Sequence, residues 1–284
     1  MLSRRHAAIL KILEAEGTAS IASLAAQLGV SPETVRRDVK PLTATGAVLR
    51  IHGAVGLAGQ LGEAPFARRM RDNASAKQAI ARALAATIRD GDAVMFDTGT
   101  TTSYVARELL GHRRLMVVTN SSDIARTLAT VNGNRVYMAG GELRRDSGAA
   151  FGKSALDFIA RFSVTHAVIS AGAVDAVGVS DFELEEAEFA RLVLSRGERR
   201  VVVTDHAKFA RRGLVSVCDF AGLDELLTDA PPPAAIAAAA EQAGVRLTVA
   251  PAPALTAPPP KPAQTTRSTS PRLGTVAASP GIET

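Results

Sequence analysis

The chain of 284 residues has one cysteine, Cys218, and no tryptophan. A single thiol excludes an internal disulfide framework and fits a reducing cytoplasm. Aromatic residues are only 4% of the total, which argues against single-stranded nucleic acid held by base stacking. No uninterrupted apolar run approaches membrane-spanning length. The short apolar stretch after Arg4 and Arg5 is broken by Lys11, so it does not read as a signal peptide. There is no Ser/His/Asp order and no His/Cys cluster at metal-ligand spacing, so neither a metal site nor a cofactor is expected.

What is present describes a soluble globular protein with room for two domains. Hydrophobic residues make up 46% and charged residues 21%. The net charge of +5 permits a polyanionic partner without demanding one.

The most informative stretch is Ser31-Pro32-Glu33-Thr34-Val35-Arg36-Arg37-Asp38-Val39-Lys40. Ser31 suits an N-cap, because its hydroxyl can accept from a first-turn N–H. Pro32 suits the first helical position, where a missing N–H costs nothing. Val35 and Val39 share one face, while Thr34, Arg36, Arg37 and Lys40 point elsewhere. Such a helix fits the major groove of DNA, with cations drawn to the phosphates and Ser31, Pro32, Thr34, Val35, Arg36, Arg37 and Lys40 as the expected contacts; a solvated surface helix is the bland alternative. The neighbours favour DNA. Ile9, Ile12 and Leu13 mark a first helix ending at Gly17. Ser20 caps a second, with Ile21, Leu24, Ala25 and Leu28 inward, and Gly29 leads through a tight turn into the third. Beyond Gly46, residues Val48–Val55 form a candidate β-hairpin, or wing, whose Arg50 and His52 can face a phosphate backbone or simply sit in the turn. Pro41 removes a helical hydrogen bond to Arg37 and should kink the helix, leaving base reading to the residues before it.

The divisions expected are a winged helix-turn-helix over 1–57, a linker over 58–72, an α/β domain over 73–250 and a disordered Pro/Ala/Thr-rich tail over 251–284. In the third, apolar strands at Ala93–Phe96, Leu115–Val118, Val136–Met138, His166–Ser170, Val201–Thr204, Leu223–Leu227 and Val245–Val249 alternate with helices. That rhythm predicts an open, mostly parallel sheet covered on both faces.

Ligands of such sheets bind beyond the carboxyl ends of the strands, where four polar loops fall. Asp97-Thr98-Gly99-Thr100-Thr101 opens a helix, so its N–H groups and the helix dipole favour an anion. It has neither the Walker Gly-Lys-Ser/Thr nor GxGxxG, which points to a small phosphate rather than a nucleotide. Thr119-Asn120-Ser121 offers further donors, Gly140-Gly141 admits close backbone approach, and Asp205 with Lys208 supplies a compact cation. Each loop alone could be an ordinary packing turn; four in one sheet predict a phosphate pocket. Asp97, Asp175, Glu183, Glu185 and Lys208 are the ionisable groups nearby. Carboxylates there could hold polyol hydroxyls, or could serve with the lysine as base and electrophile in an isomerase. Glu183, Glu185, Glu186 and Glu188 also read as an exposed acidic helix start favoured by the dipole.

These residues resemble the DeoR family of bacterial transcriptional regulators over all but the tail. Its signature V-S-x-x-T-[IV]-R-R-D, then L, G and R-x-H-G-G-A, stands here as Val30 to Asp38, Leu42, Gly46 and Arg50-Ile51-His52-Gly53-Ala54, with one glycine of the wing pair absent. Its sensor elements D-T-G-T-T, T-N, G-G and D-x-x-K-F match Asp97–Thr101, Thr119-Asn120, Gly140-Gly141 and Asp205–Phe209. Within the family the resemblance runs to glycerol-3-phosphate repressors, through Gly140–Arg144, Leu156–Ile159, Asp205–Phe209 and Thr228–Pro233. It implies a sensor fold similar to ribose-5-phosphate isomerase, no enzymatic activity, and repression controlled by glycerol 3-phosphate or another sugar phosphate. A homodimer or homotetramer is expected, because repeated DNA half-sites need symmetric readers. Two other classes stay open from the residues: an isomerase-like enzyme with a DNA-binding head, and a phosphate-ester sensor acting through a protein partner.

Overall fold

The computed structural model describes residues 4–16, 18–51, 54–57 and 63–251, apart from the side chains of Glu14, Arg50 and Ile51. The expectations for His52, the Gly53 turn, the Arg50 side chain, residues 58–62 and the tail from 252 lie outside those residues.

The head follows its caps. Helix α1 (Arg4–Glu16) precedes strand β1 (Thr18–Ser20), α2 (Ile21–Leu28) and α3 (Pro32–Ala44). The Ser20 hydroxyl accepts from the Ser23 N–H at 3.0 Å. Gly29 ends α2 at φ 64°, the left-handed conformation that favours glycine. Ser31 caps α3 by accepting from the Thr34 N–H at 3.2 Å. Strands β2 (Val48–Ile51) and β3 (Ala54–Leu57) form the expected hairpin, and β1 joins it in the order β1-β3-β2. Three residues are too few to show an alternation, so β1 is read only from its partner. Ile9, Leu13, Leu24, Val35, Val39, Leu42, Val48 and Val55 form one core beneath these elements. Helix α3 runs on through Pro41 to Ala44, and the Thr45 N–H bonds the Pro41 carbonyl at 2.9 Å.

Seven parallel strands build the larger layer: β4 (Ala93–Phe96), β5 (Met116–Thr119), β6 (Arg135–Met138), β7 (Val164–Ser170), β10 (Gly197–Val203), β12 (Glu225–Thr228) and β13 (Arg246–Val249). Their order is β13-β12-β10-β7-β4-β5-β6. Successive residues serve opposite faces. Met95, Ile169, Val202 and Leu226 face one core, and Val94, Phe96, Val168, Val201 and Val203 face the other. Helices cover both, so the strands are apolar on both sides. A second, antiparallel sheet of β8 (Ala173–Val174), β9 (Gly178–Asp181) and β11 (Val215–Asp219) stands beside the first. Its strands are short and were not expected.

From β4 the chain builds outward through β5 and β6, then returns to the other side of β4 with β7. The strand order reverses between β4 and β7, and an open α/β sheet leaves its ligand crevice at that point.

The stretch expected as a linker is folded from Glu63 onward. Phe66–Arg69 form a short helix, α4. The Phe66 N–H donates to Asp146 at 2.9 Å, and the Tyr104 hydroxyl donates to the Met70 carbonyl at 2.9 Å. Buried Lys77 donates to the Arg69 and Asp72 carbonyls. Residues 4–251 accordingly lie within one compact unit.

Candidate functional site

Helix α3 presents a cationic face to solvent. Arg36, Arg37 and Lys40 are exposed and Thr34 is half-buried. Arg36 holds Glu33 at 3.1 Å, and Asp38 is taken by Arg5 at 2.6 Å. The hydrogen bond from Arg5 holds the Asp38 carboxyl below its ordinary range. Arg37 and Lys40 enter neither pair and stay on the outer face. Ser31 and Pro32 sit at the exposed start of the helix. Val35, expected among the DNA contacts, is 0% exposed in the head core and cannot reach DNA. It contributes packing behind the cations.

At the reversal between β4 and β7, Asp97 follows β4 and bridges the seam. Its Oδ2 accepts from the Ser170 N–H at 2.9 Å and from Ser170 Oγ at 3.1 Å, and its Oδ1 accepts from Thr102 Oγ1 at 3.1 Å. A Cβ on Gly99 would stand 1.8 Å from Ser170 Oγ. Glycine is required there because two loops touch, rather than to leave room for a ligand. Helix α6 (Thr100–Glu108) has no side-chain N-cap. Its first internal bond runs from Ser103 N–H to the Gly99 carbonyl. The N–H groups of Thr100, Thr101 and Thr102 precede it, at the positive end of the helix.

Asp97 and Thr98 line a cavity of about 10 Å³ with Asp181, Glu186, Glu63 and Arg69. Burial pushes the Asp97 carboxyl up to about 7, against the Ser170 and Thr102 hydrogen bonds. Burial, then the Glu63 charge, raises Asp181 to about 6. Burial and the Asp181 charge raise Glu186 to about 8. Glu63 goes the other way. Burial is the largest single influence and favours its neutral form, but Lys208, Arg69 and Arg211 together hold its carboxyl below the ordinary value. The crevice thus combines partly protonated acids, able to bond hydroxyl groups, with the Arg69 guanidinium in its lining and the Lys208 ammonium on the Glu63 carboxylate. Arg144 bridges Glu185 and Glu186 at 2.6 Å each and lies over the Phe151 ring, 4.3 Å from its centre.

The other expected effector residues divide by position. Thr100 and Thr101 are buried at the α6 start. Asn120 is fully buried and its amide is committed: it accepts from Thr98 Oγ1 at 2.9 Å and donates to the Ala150 carbonyl at 2.9 Å. Thr119 Oγ1 accepts from the Ser121 N–H at 3.1 Å, and Ser121 caps the next helix. These side chains shape the loop rather than face the crevice. Gly140 and Gly141 are exposed past β6 and do not line it. Asp175 caps the β8–β9 turn, accepting from the Val177 N–H at 2.8 Å, and lines a different pocket. Glu183 precedes α9 (Leu184–Ser195) and lines a neighbouring cavity of about 200 Å³. Asp205 accepts from Ala207 N–H and from Asn73 Nδ2, at 3.0 and 2.8 Å. Asp205 and Lys208 line a third cavity, of about 570 Å³, where Lys208 is ion-paired to Glu63. Sequence reading missed Asp181, Ser170, Glu63 and Arg69 as site residues, and took Glu186, which is half-buried in the crevice, for part of an exposed helix start. Ser170-Ala171-Gly172 is a strand-end turn like the four selected and carried a readable signal; the others are joined only by tertiary contact.

Residues 5–60 match the DeoR-like helix-turn-helix domain, and residues 72–230 match the DeoR C terminal sensor domain. The glycerol-3-phosphate regulon repressor of Escherichia coli (strain K12) is 33% identical over 235 residues, covering 82% of this chain and 93% of that protein. The HTH-type transcriptional repressor CsqR of the same organism is 34% identical, over 82% of this chain and 89% of its own. Ribose 5 phosphate isomerase A from Neisseria gonorrhoeae aligns at 16% identity and a TM-score of 0.35, over 48% of this chain and 53% of that one. No helix among the described residues is long and apolar enough to cross a membrane. With a DNA-reading head and a sensor domain both matched along the folded chain, and repressors among its near relatives, the protein belongs to the DeoR family of helix-turn-helix transcriptional repressors.

Proposed function

We propose that this repressor acts in the cytoplasm as a symmetric oligomer whose operator affinity is set by a small phosphorylated metabolite, glycerol 3-phosphate foremost. The observation that carries the reading is the crevice at the β4–β7 reversal, where hydroxyl-binding acids stand beside cations and a helix start. Hydroxyls of a polyol phosphate would meet Asp97, Asp181 and Glu186. Its phosphate would be drawn by Arg69, by Lys208 and by the first-turn N–H groups of α6. The relative named for the glycerol-3-phosphate regulon supports that ligand over other phosphate esters. Thr34, Arg36, Arg37 and Lys40 would contact DNA, with Ser31 and Pro32 at the backbone. A coupling of about 1–3 kcal/mol between the two sites suffices for a switch.

The test is a thermal-shift screen of phosphorylated metabolites against the full chain. A true effector at a hundred times its dissociation constant adds about 2.7 kcal/mol of stability. Stabilisation by a hexose or pentose phosphate but not by glycerol 3-phosphate would reassign the ligand. No response from any phosphate ester would sink the sensor reading.

A further inference from the structure

Glu63 stands where three cavities meet. It and Arg69 line the crevice of about 10 Å³ beside Asp97, the cavity of about 200 Å³ beside Glu183, and the cavity of about 570 Å³ facing the head. Ten cubic ångströms hold about one water and no phosphate ester. At that size the crevice does not admit an effector, and Glu63 is one of the side chains that bound it. The Glu63 carboxylate takes Arg69 and Lys208 together, both cations being well buried. One side-chain carboxylate thus satisfies two cations that would suit a phosphate monoester equally well.

The segment carrying Glu63 also touches the DNA-reading helix. Arg68 donates to the carbonyl of Thr45, the residue that caps the C-terminal end of α3. A Cβ on Gly46 would stand 2.8 Å from Pro65 and 3.2 Å from Arg68. The residues after α3 are thus seated directly on Pro65 and Arg68. On the other side, Phe66 is anchored to Asp146 and Arg69 to Lys77.

We infer that Glu63 is an internal stand-in for the effector's anionic group: it occupies the Arg69–Lys208 seat in the free repressor, and a phosphate monoester displaces it. This rests on the sensor reading above and adds the route from ligand to DNA. Expelling Glu63 merges the small crevice with its neighbours, which admits the ester. It also removes one tie between this segment and the sensor, leaving the anchors on Asp146 and Lys77, and Pro65 and Arg68 hold the end of α3. Ligand entry and loosening of the head are then coupled, because the side chain that lines the pocket also ties down the connector. Apparent affinity is reduced by the fraction of molecules in which Glu63 is seated, so neutralising Glu63 should tighten binding rather than weaken it.

The test uses the full chain and Glu63→Gln, titrated calorimetrically with glycerol 3-phosphate and with inorganic phosphate, alongside hydrogen exchange over residues 63–72. Exchange in β4 and β7 reports that the body is still folded. The expected result is at least tenfold tighter binding to Glu63→Gln, faster exchange of 63–72 in the unliganded variant, and the same loss of protection when ligand is added to the parent. If the parent binds either probe and Glu63→Gln binds it equally or more weakly, the stand-in is wrong and the sensor reading survives. If neither protein binds either probe, glycerol 3-phosphate is excluded as the effector and the sensor reading passes to the other phosphate esters. The plug is then judged by exchange alone: protection of 63–72 unchanged by Glu63→Gln overturns it, and protection lost upholds it.

Discussion

Asparagine at position 97 keeps the shape of the aspartate and cannot ionise, so Asp97→Asn isolates the cost of placing a charge at the β4–β7 seam. The folded chain holds Asp97 at about 7, above its ordinary 3.8. Between those values the unfolded chain gives up the proton first, so stability falls as pH rises through the window and levels off above 7. From pH 5 to pH 8, about two units of that window are crossed, at 1.36 kcal/mol each, or about 2.7 kcal/mol. The variant loses none of this. Its stability relative to the parent should therefore improve by about 2–3 kcal/mol between pH 5 and pH 8. Any constant penalty from turning an amide toward the Ser170 or Thr102 donors, about 1 kcal/mol, cancels in that comparison. Asp181 and Glu186 titrate in both proteins and largely cancel too. The assay is urea unfolding of both proteins at both pH values, read as the double difference. A difference that stays constant with pH would mean that Asp97 is ionised throughout, and the argument from burial would be refuted.

Arg37→Ala should weaken DNA binding uniformly and lower the salt slope by about one if the contact is to phosphate. If it is to guanine, base preference at one position should relax instead, and an unaltered slope and preference would exclude both roles. Val35→Ala should cost about 2–3 kcal/mol in urea unfolding through the lost burial and the cavity left behind, with the salt slope of DNA binding unchanged; an altered slope would return Val35 to the interface. Gly99→Ala should cost about 1–3 kcal/mol because Ser170 must move, and an unchanged melting midpoint would show that the seam has slack.

What the sequence disclosed followed the range of the interaction. Ser20, Gly29, Ser31 and Pro32 act on backbone groups within one helical turn, so the head could be drawn from them almost residue by residue. The parallel sheet was legible because its central strands are buried on both faces and spell out apolar runs, although the edge strands β6 and β13 are only partly covered. Asp97-Thr98-Gly99 was legible as the end of a strand and the start of a helix. Its partners were not. Ser170 reaches Asp97 only through the pairing of β4 with β7, and Asp181 arrives on β9, whose four residues give no clear period. Lys208 was expected in the pocket because it follows the end of β10, but the intervening Glu63 comes from a stretch whose composition resembled a free spacer. Val35 shows a different lapse: its spacing with Val39 marked it as core, while its place inside a DNA-reading signature suggested contact, and packing decided.

The seam between β4 and β7 also bears on how the protein comes into being. Val94 is matched with His166, and β5 and β6 are laid down on the far side of β4 before β7 is synthesised. During translation the central strand waits with one edge open, and pairing across so long a loop is slow compared with helix formation. The recognition helix can mature well before the sensor does. A nascent chain halted short of β7 would carry the three helices of the head beside an incomplete sensor sheet.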